Sequence, residues 1–431
     1  MSKHASILWV ISLMSVVVLS ACTGKRSGST VSGGSAVLDP AARRAERYAS
    51  RPIEPAPPPD PNRIVIGVYA DLTGDNSTFG EETRNGVTLA VEEINKRGGL
   101  LGKQVEARFE DTRSDPQQAR NVVTKLIQQE RVVAIIGEVA STISLAGGPI
   151  CQRYGVPMIS PSSTNPAVTD KGDYIFRVCF IDPFQGYVMA KFAAEHLKVK
   201  RVAILYDNSS DYSKGLAQFF GEAFKKLGGT ITNVLTYKPQ DTDFRSQLTT
   251  IRAGNPEAIF IPGYYKSVGL IARQARELGI KVPLLGGDGW SSPKLVEGAG
   301  GPGKAIEGCY FSDHYAPDDP APQIQEFVRK YRQRFGKTPG GLAALGYDAA
   351  RVLFAAIQKA GKLDRAAIRD AIASTKNFPG VTGSITINEF GDADKSAVVL
   401  QVRGDRFVFV TRITPETAMA TTQVSRGRTR R

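Results

Sequence analysis

Between Val132 and Pro166 the chain reads VVAIIGEVASTISLAGGPICQRYGVPMISPSSTNP, and no other stretch restricts the fold as much. VVAIIG is a short apolar run rich in β-branched residues, as a strand buried on both faces requires. Gly137 ends it, and Ser141 and Thr142 stand where a helix starts, with hydroxyls suited to capping its free N–H groups. A second strand, Val156 to Ile159, runs into Ser160-Pro161-Ser162-Ser163-Thr164-Asn165-Pro166, where Asn165 and Pro166 make an N-cap and first-turn pair. Two neighbouring parallel strands thus carry two hydroxyl-rich loops to one sheet edge, each opening a helix. Open α/β sheets bind ligands at that edge, and helix N-termini attract carboxylates. Either the hydroxyls only cap helices, or they meet a small anionic or zwitterionic ligand; two such loops side by side favour the ligand.

The rest of the chain keeps the same rhythm. Strand signals at Arg63–Ala70, Gln104–Phe109 and Tyr174–Val178 alternate with helical periodicity at Gly80–Arg97 and from Asp115-Pro116 to Glu130, which predicts a parallel doubly wound sheet. After a break at Cys179–Pro183 the pattern restarts. Strands are expected at Arg201–Tyr206, Thr230–Leu235, Ala258–Pro262, Val282–Gly286 and Ile306–Phe311. Helices are expected at Phe184–Leu197, Tyr212–Leu227, Asp243–Ala253 (Asp243 as cap) and Tyr265–Leu278. Helices at Ala321–Phe335, Leu342–Lys359 and Asp364–Ala373, with strands at Gly383–Ile387, Ala397–Arg403 and Arg406–Thr411, are too few for a third core. They return to coat two similar lobes, so the chain crosses between the lobes more than once.

Both ends differ from this body. Ile7 to Leu19 is almost wholly apolar after Lys3, too short to span a membrane as a mature helix and suited to a secretory signal. It ends in Leu19-Ser20-Ala21-Cys22, which resembles the bacterial lipobox and implies a signal peptide at 1–21 and lipidation of Cys22. Residues 22–62, Ser/Gly-rich and then Pro-rich, read as a flexible tether with a stiffer end and a possible short helix at 40–49. Residues 414–431 read as a disordered basic tail. Of the net charge of +13, residues 1–62 hold +3 and residues 412–431 hold +4, leaving +6 on the body with no Lys/Arg block. So diffuse an excess argues against nucleic acid. Cys151, Cys179 and Cys309 show no CxxC spacing, which points to buried inert thiols and no metal.

Motifs for covalent chemistry are missing. No GxSxG or HExxH occurs, and the three histidines are His4, His196, ending a helix, and His314, following a strand among acids. Gly298 to Ala305 has phosphate-loop spacing but carries Ala305 where Ser or Thr must hold magnesium, with Pro302 inside, and reads as a turn. These omissions count against an α/β enzyme and call for no cofactor.

The segments NGVTLAVEEINKRGG, MISPSSTNP, FIPGYYKSVGLIARQARELGI and LLGGDGW together resemble the extracytoplasmic binding proteins of bacterial ABC importers, of the branched-chain amino-acid (Leu/Ile/Val-binding) type. The resemblance runs from about Arg63 to Val410. It implies the type I periplasmic binding protein fold, two doubly wound Rossmann-like lobes joined by a three-strand hinge. Lobe 1 comprises 63–181 and 313–390, and lobe 2 comprises 182–312 and 391–413. It implies a lipid-anchored monomer in the cell envelope that closes on an amino acid and docks on a membrane permease. By the same resemblance Ser141 holds the ligand carboxylate, the Ser162 carbonyl takes the ammonium, Thr164 contacts both, and Val139, Ala140 and Ser163 belong to the same two loops. Tyr212 and Tyr264 close from the second lobe, Asp288 counters the ammonium, and Phe79 lies against the ligand side chain. Without the resemblance, Tyr264 and Tyr265 also read as core aromatics, and Asp288 as a turn residue between Gly287 and Gly289. Asp288 stands where the branched-chain binders carry Glu. Ser114 and Ala140 replace their disulfide, and Leu342 replaces an aromatic wall. Amides, urea and aromatic acids therefore stay open as ligands beside Leu, Ile and Val, and a receptor's sensor ectodomain stays open beside transport.

Overall fold

Every residue of β1 (Ile64–Ala70) is buried, as a strand at the centre of a parallel sheet covered on both faces must be. The computed structural model describes residues 52–415 together with Glu46 and Tyr48. From β1 the chain runs through α1 (Ser77–Lys96), β2 (Val105–Asp111), α2 (Pro116–Gln128), β3 (Ala134–Ile136), α3 (Ser141–Arg153), β4 (Met158–Ser160), a 3-10 turn (Pro166–Lys171) and β5 (Ile175–Arg177). These strands pair in parallel in the order β2-β1-β3-β4-β5. Asp115 caps α2 through the Gln118 N–H, with Pro116 in the first turn.

The second sheet repeats the plan. The chain continues through α4 (Asp182–Lys191), β6 (Arg201–Asp207), α5 (Asp211–Lys226), β7 (Thr230–Tyr237), α6 (Arg245–Ala253), β8 (Ala258–Phe260), α7 (Tyr265–Glu277), β9 (Leu284–Gly286), α8 (Lys294–Gly298) and β10 (Tyr310–Asp313). The parallel order β7-β6-β8-β9-β10 matches that of the first sheet strand for strand. Next come α9 (Pro322–Phe335), α10 (Gly341–Ala360), α11 (Arg365–Ala373), a small sheet of β11 (Phe378–Gly380), β12 (Gly383–Ile387) and β13 (Ala393–Asp394), and then β14 (Ala397–Arg403) and β15 (Arg406–Ile413). The helices return to the first lobe, where α9 and α10 pack on α1 and α11 packs on α10. β14 and β15 add antiparallel to the edge of the second sheet at β10. The chain therefore crosses between lobes three times, after β5, after β10 and before β14.

α10 approaches α1 through glycines. A Cβ on Gly86 would overlap the Ala343 carbonyl oxygen, and one on Gly346 would crowd Thr83. This close approach sets Leu342 beside Phe79.

Several local expectations need correction. Ala140, not Ser141 or Thr142, occupies the N-cap of α3, with no side-chain cap. Phe244 occupies the N-cap of α6, while Asp243 accepts from the Arg245 N–H at 3.0 Å. α4 ends in a π turn, Phe192–His196, on which the His196 ring stacks against Phe192 at 4.6 Å. The short strands β11 and β13 lack any alternating pattern long enough to read. The Pro-rich end of the 22–62 stretch is docked, with the Glu54 N–H on the Arg153 carbonyl at 2.8 Å and Arg131 Nε on the Pro58 carbonyl at 2.7 Å. Glu46 and Tyr48 are helical; the signal peptide, Cys22 and the tail beyond 415 lie outside the described residues. Among those described, no helix is long and apolar enough to cross a membrane.

Candidate functional site

The two loops foreseen after β3 and β4 lie side by side, locked by a hydroxyl network. Glu138 is fully buried, and its carboxylate accepts from the Asp71 N–H at 2.7 Å and the Ala140 N–H at 2.6 Å. Ser144 Oγ accepts from the Glu138 N–H at 3.0 Å, while Ser160 and Ser163 donate to the Glu138 carbonyl at 2.7 and 2.9 Å. Burial pushes the Glu138 carboxyl up to about 8, against the pull of the Ala140 N–H. Under the second loop lies Arg177, with no exposed surface. It pairs with Asp392 at 2.7 Å and donates to the carbonyls of Ser163 and Asn165, the latter at 2.9 Å.

With the N-cap one residue earlier, the hydroxyls of Ser141 and Thr142 are released for other work. Ser141 Oγ accepts from the Asn165 N–H at 3.2 Å. Thr142 Oγ1 accepts from the Asp211 N–H at 2.9 Å, and Asn165 Nδ2 donates to the Asp211 carbonyl at 2.7 Å, two bonds that tie the lobes together.

From the second lobe, Tyr212 in the first turn of α5 accepts the Gly289 N–H at 3.1 Å. Tyr264 stacks on Tyr212 at 5.3 Å and meets Phe79 edge-on at 6.0 Å. Burial pushes both tyrosine hydroxyls well up, so they remain neutral. Asp288, in a 3-10 turn after β9, is 6% exposed. Its Oδ1 accepts from Gln185 Nε2 at 2.8 Å and its Oδ2 lies 3.0 Å from His314 Nε2. His314 is stacked on Phe180 at 3.8 Å, and burial lowers its pKa to about 4 against the pull of Asp288. The imidazole is therefore neutral near pH 7, and no cation neutralises Asp288 from that side.

Phe79, Val139, Ser141, Ser162, Tyr212, Tyr264, Asp288, Gly289 and Leu342 line one inter-lobe cavity. Its free volume is about 10 Å³, roughly one water, so the lobes are closed and an amino acid enters only when they part. Three expected residues do not line it. The Ser163 hydroxyl is spent on Ser144 and the Glu138 and Val139 carbonyls. Ala140 faces a separate cavity with Thr142 and Ser210. Thr164 is buried beside Asp182, whose carboxyl burial holds well up against the pull of the Thr164 hydroxyl. Gln185, His314, Glu138 and Arg177 escaped the sequence reading; each acts through contacts between distant segments and carries no local motif.

The poles of the cavity are opposite in sign. α3 presents its N-terminus and the Ser141 hydroxyl, a place for a carboxylate. Asp288, facing from the second lobe, suits an ammonium.

Acidification should test His314. Protons bind it in the unfolded chain below about 6.5 but in the fold only below about 4, so stability falls as pH drops through that window, by about 1.4 kcal/mol per pH unit at most. Glu138 and Asp313, pushed up to about 8 and about 7, act in the opposite sense. The readout is therefore the urea-midpoint difference between the parent and His314→Gln at each pH from 4 to 7. It should move against the parent as pH falls, and a constant difference removes His314 from this role.

The family profile described as "Periplasmic binding protein" matches residues 63–406. Leu/Ile/Val-binding protein homolog 3 of Brucella melitensis is 31% identical over 334 residues, covering 76% of this chain and 88% of that protein. The leucine-binding protein LivK of Thermotoga maritima superposes with a TM-score of 0.78 at 44% identity, covering 82% of this chain and 99% of that one. LivJ of Streptococcus pneumoniae, solved with isoleucine, gives a TM-score of 0.76 at 33% identity, covering 81% and 99%.

Proposed function

The chain belongs to the periplasmic binding protein family, on its branched-chain amino-acid-binding side, and from that premise we propose that it is the extracytoplasmic solute-binding component of an ABC importer. It takes a small zwitterion, an amino acid of the branched-chain kind or a near relative, between its lobes. The observation that carries this reading is the charge pattern of the cavity, a helix N-terminus with Ser141 on one lobe and Asp288 beside a neutral His314 on the other. Desolvating both ends of a zwitterion is costly unless each meets a fixed partner. Phe79, Tyr264 and Leu342 supply the apolar wall. Contacts from both lobes favour the closed form, which docks on the permease.

Binding, not bond-making, is the activity. The buried thiols are held un-ionised, with Cys179 pushed up to about 12. A thermal-shift screen over amino acids, amides and aromatic acids tests the ligand class: stabilisation by Leu, Ile or Val is expected, and a response confined to amides or aromatic acids overturns the amino-acid assignment. The chain works as a monomer tethered through lipidated Cys22. Cys22→Ser should move it from the membrane to the soluble fraction of the envelope, and persistent membrane association removes the anchor.

A further inference from the structure

A cavity of about 940 Å³ adjoins the Phe79–Leu342 wall, since Thr78 and Gly341, their sequence neighbours, line it. Its floor carries two acids. Glu82 on α1 is 6% exposed, and its Oε2 has no hydrogen-bond partner. Asp313, at the end of β10, is 1% exposed and accepts from Ser291 Oγ at 2.5 Å and the His314 N–H at 2.6 Å. Both carboxylates press on the start of α10: a Cβ on Gly340 would overlap Glu82, and one on Gly341 would overlap Asp313.

Nearby cations are committed elsewhere. Lys337 pairs with Glu81 at 2.6 Å, and Lys395 Nζ donates to Thr382 Oγ1 and the Val178 carbonyl. The α10 N-terminus offers about half a positive charge, less than two carboxylates call for. Burial accordingly pushes Glu82 up to about 8 and Asp313 to about 7. Three cations, Arg332, Lys337 and Arg406, line the cavity against four acids, Glu82, Asp313, Asp318 (exposed) and Asp405, so the lining is one charge negative with all of them ionised, and an arriving ammonium displaces the protons that burial holds on Glu82 and Asp313. No group of three or more His, Cys, Asp or Glu among the described residues could hold a metal ion. Tyr315, Pro339, Leu400 and Phe407 make the walls apolar. Two carboxylates at the end of an apolar passage suit an ammonium on a carbon chain.

We propose that this cavity is a second ligand site, for an aliphatic diamine, with one ammonium against Glu82 and Asp313 and the other near Asp318 at the mouth. Glu82 belongs to the first lobe and Asp313 to the second sheet, so a bound diamine ties the lobes in the closed arrangement. It therefore strengthens amino-acid binding at the separate site beyond Phe79.

Calorimetry on the full chain tests this with 1,4-diaminobutane as probe and 1,4-butanediol as its uncharged counterpart. The diamine should bind and the diol should not. Saturating leucine should leave diamine binding in place, and Glu82→Gln should weaken it at least about tenfold. Asp288→Ala should keep the diamine heat while losing that of leucine, which separates this proposal from the amino-acid reading. Absent diamine heat, equal heat from the diol, one-for-one displacement by leucine, or unchanged affinity in Glu82→Gln each overturns it. If Glu82→Gln fails to fold, the diol and leucine comparisons on the parent protein decide.

Discussion

Asp288→Ala should abolish leucine binding by calorimetry while the fold persists. The side chain is 6% exposed and fixed by Gln185 at 2.8 Å and His314 at 3.0 Å, so no reorganisation is needed when an ammonium arrives. Removing it leaves a buried cation without a counter-charge, a cost of about 3–5 kcal/mol, or a weakening from roughly a hundredfold to several thousandfold. His314 cannot substitute, because a neutral imidazole repays little of an ammonium's lost hydration. Asp288→Asn separates charge from shape: it can keep the Gln185 and His314 contacts yet should lose nearly as much affinity as the alanine variant. Calorimetric affinity within about threefold of the parent for either variant takes Asp288 out of the site. The alanine variant should also lower the unfolding midpoint, since buried Gln185 Nε2 and His314 Nε2 lose their partner at about 1–3 kcal/mol, while the asparagine variant should stay close to the parent.

The alternation of strands and helices is readable because most strands of the two parallel sheets are short apolar runs rich in β-branched residues, and glycine pairs such as Gly98-Gly99 and Gly228-Gly229 stop helices between them. That rhythm calls for a parallel sheet in each lobe, and both appear in the structure, with strand orders that alternation alone does not specify. The hydroxyl-rich loops after β3 and β4 were equally readable, but the role of each hydroxyl was not. In the run Ser160 to Thr164 the residue types are nearly equivalent, and only backbone direction decides that Ser162 faces the cavity while Ser163 turns back to Glu138. Ser141 and Thr142 looked like caps because Ser and Thr favour that position. Glu138 accepts the Ala140 N–H and Ser144 accepts that of Glu138, so the cap falls one residue earlier. Gln185, His314 and Arg177 lie on or beside the crossings between lobes. Each has a partner about a hundred or more residues away or on the other lobe (Gln185 and His314 meet Asp288, Arg177 meets Asp392), and no local pattern marks such a residue.

Arg177→Met should cost the protein more stability than any change within the cavity. The guanidinium is fully buried, pairs with Asp392 at 2.7 Å and donates to Thr169 Oγ1 at 2.9 Å and to the carbonyls of the 163–166 loop. Arg177 closes β5 before the first crossing, and Asp392 precedes β13 before the third, so the pair pins two crossings to each other and to the ligand loop. Methionine fills much of the volume but strands Asp392, which is 6% exposed, an expected loss of about 3–5 kcal/mol. Arg177→Lys keeps the charge but not the planar fork, so the loop carbonyls lose their donors and the loss should remain large. The double variant Arg177→Met, Asp392→Asn should recover part of the urea midpoint, because the stranded charge is gone. It should not recover leucine affinity, since the carbonyls of Ser163 and Asn165 still lack their anchor. A midpoint in Arg177→Met equal to the parent's, or full recovery of affinity in the double variant, would show that the loop is held by its own hydroxyl network and that the arginine adds nothing to it.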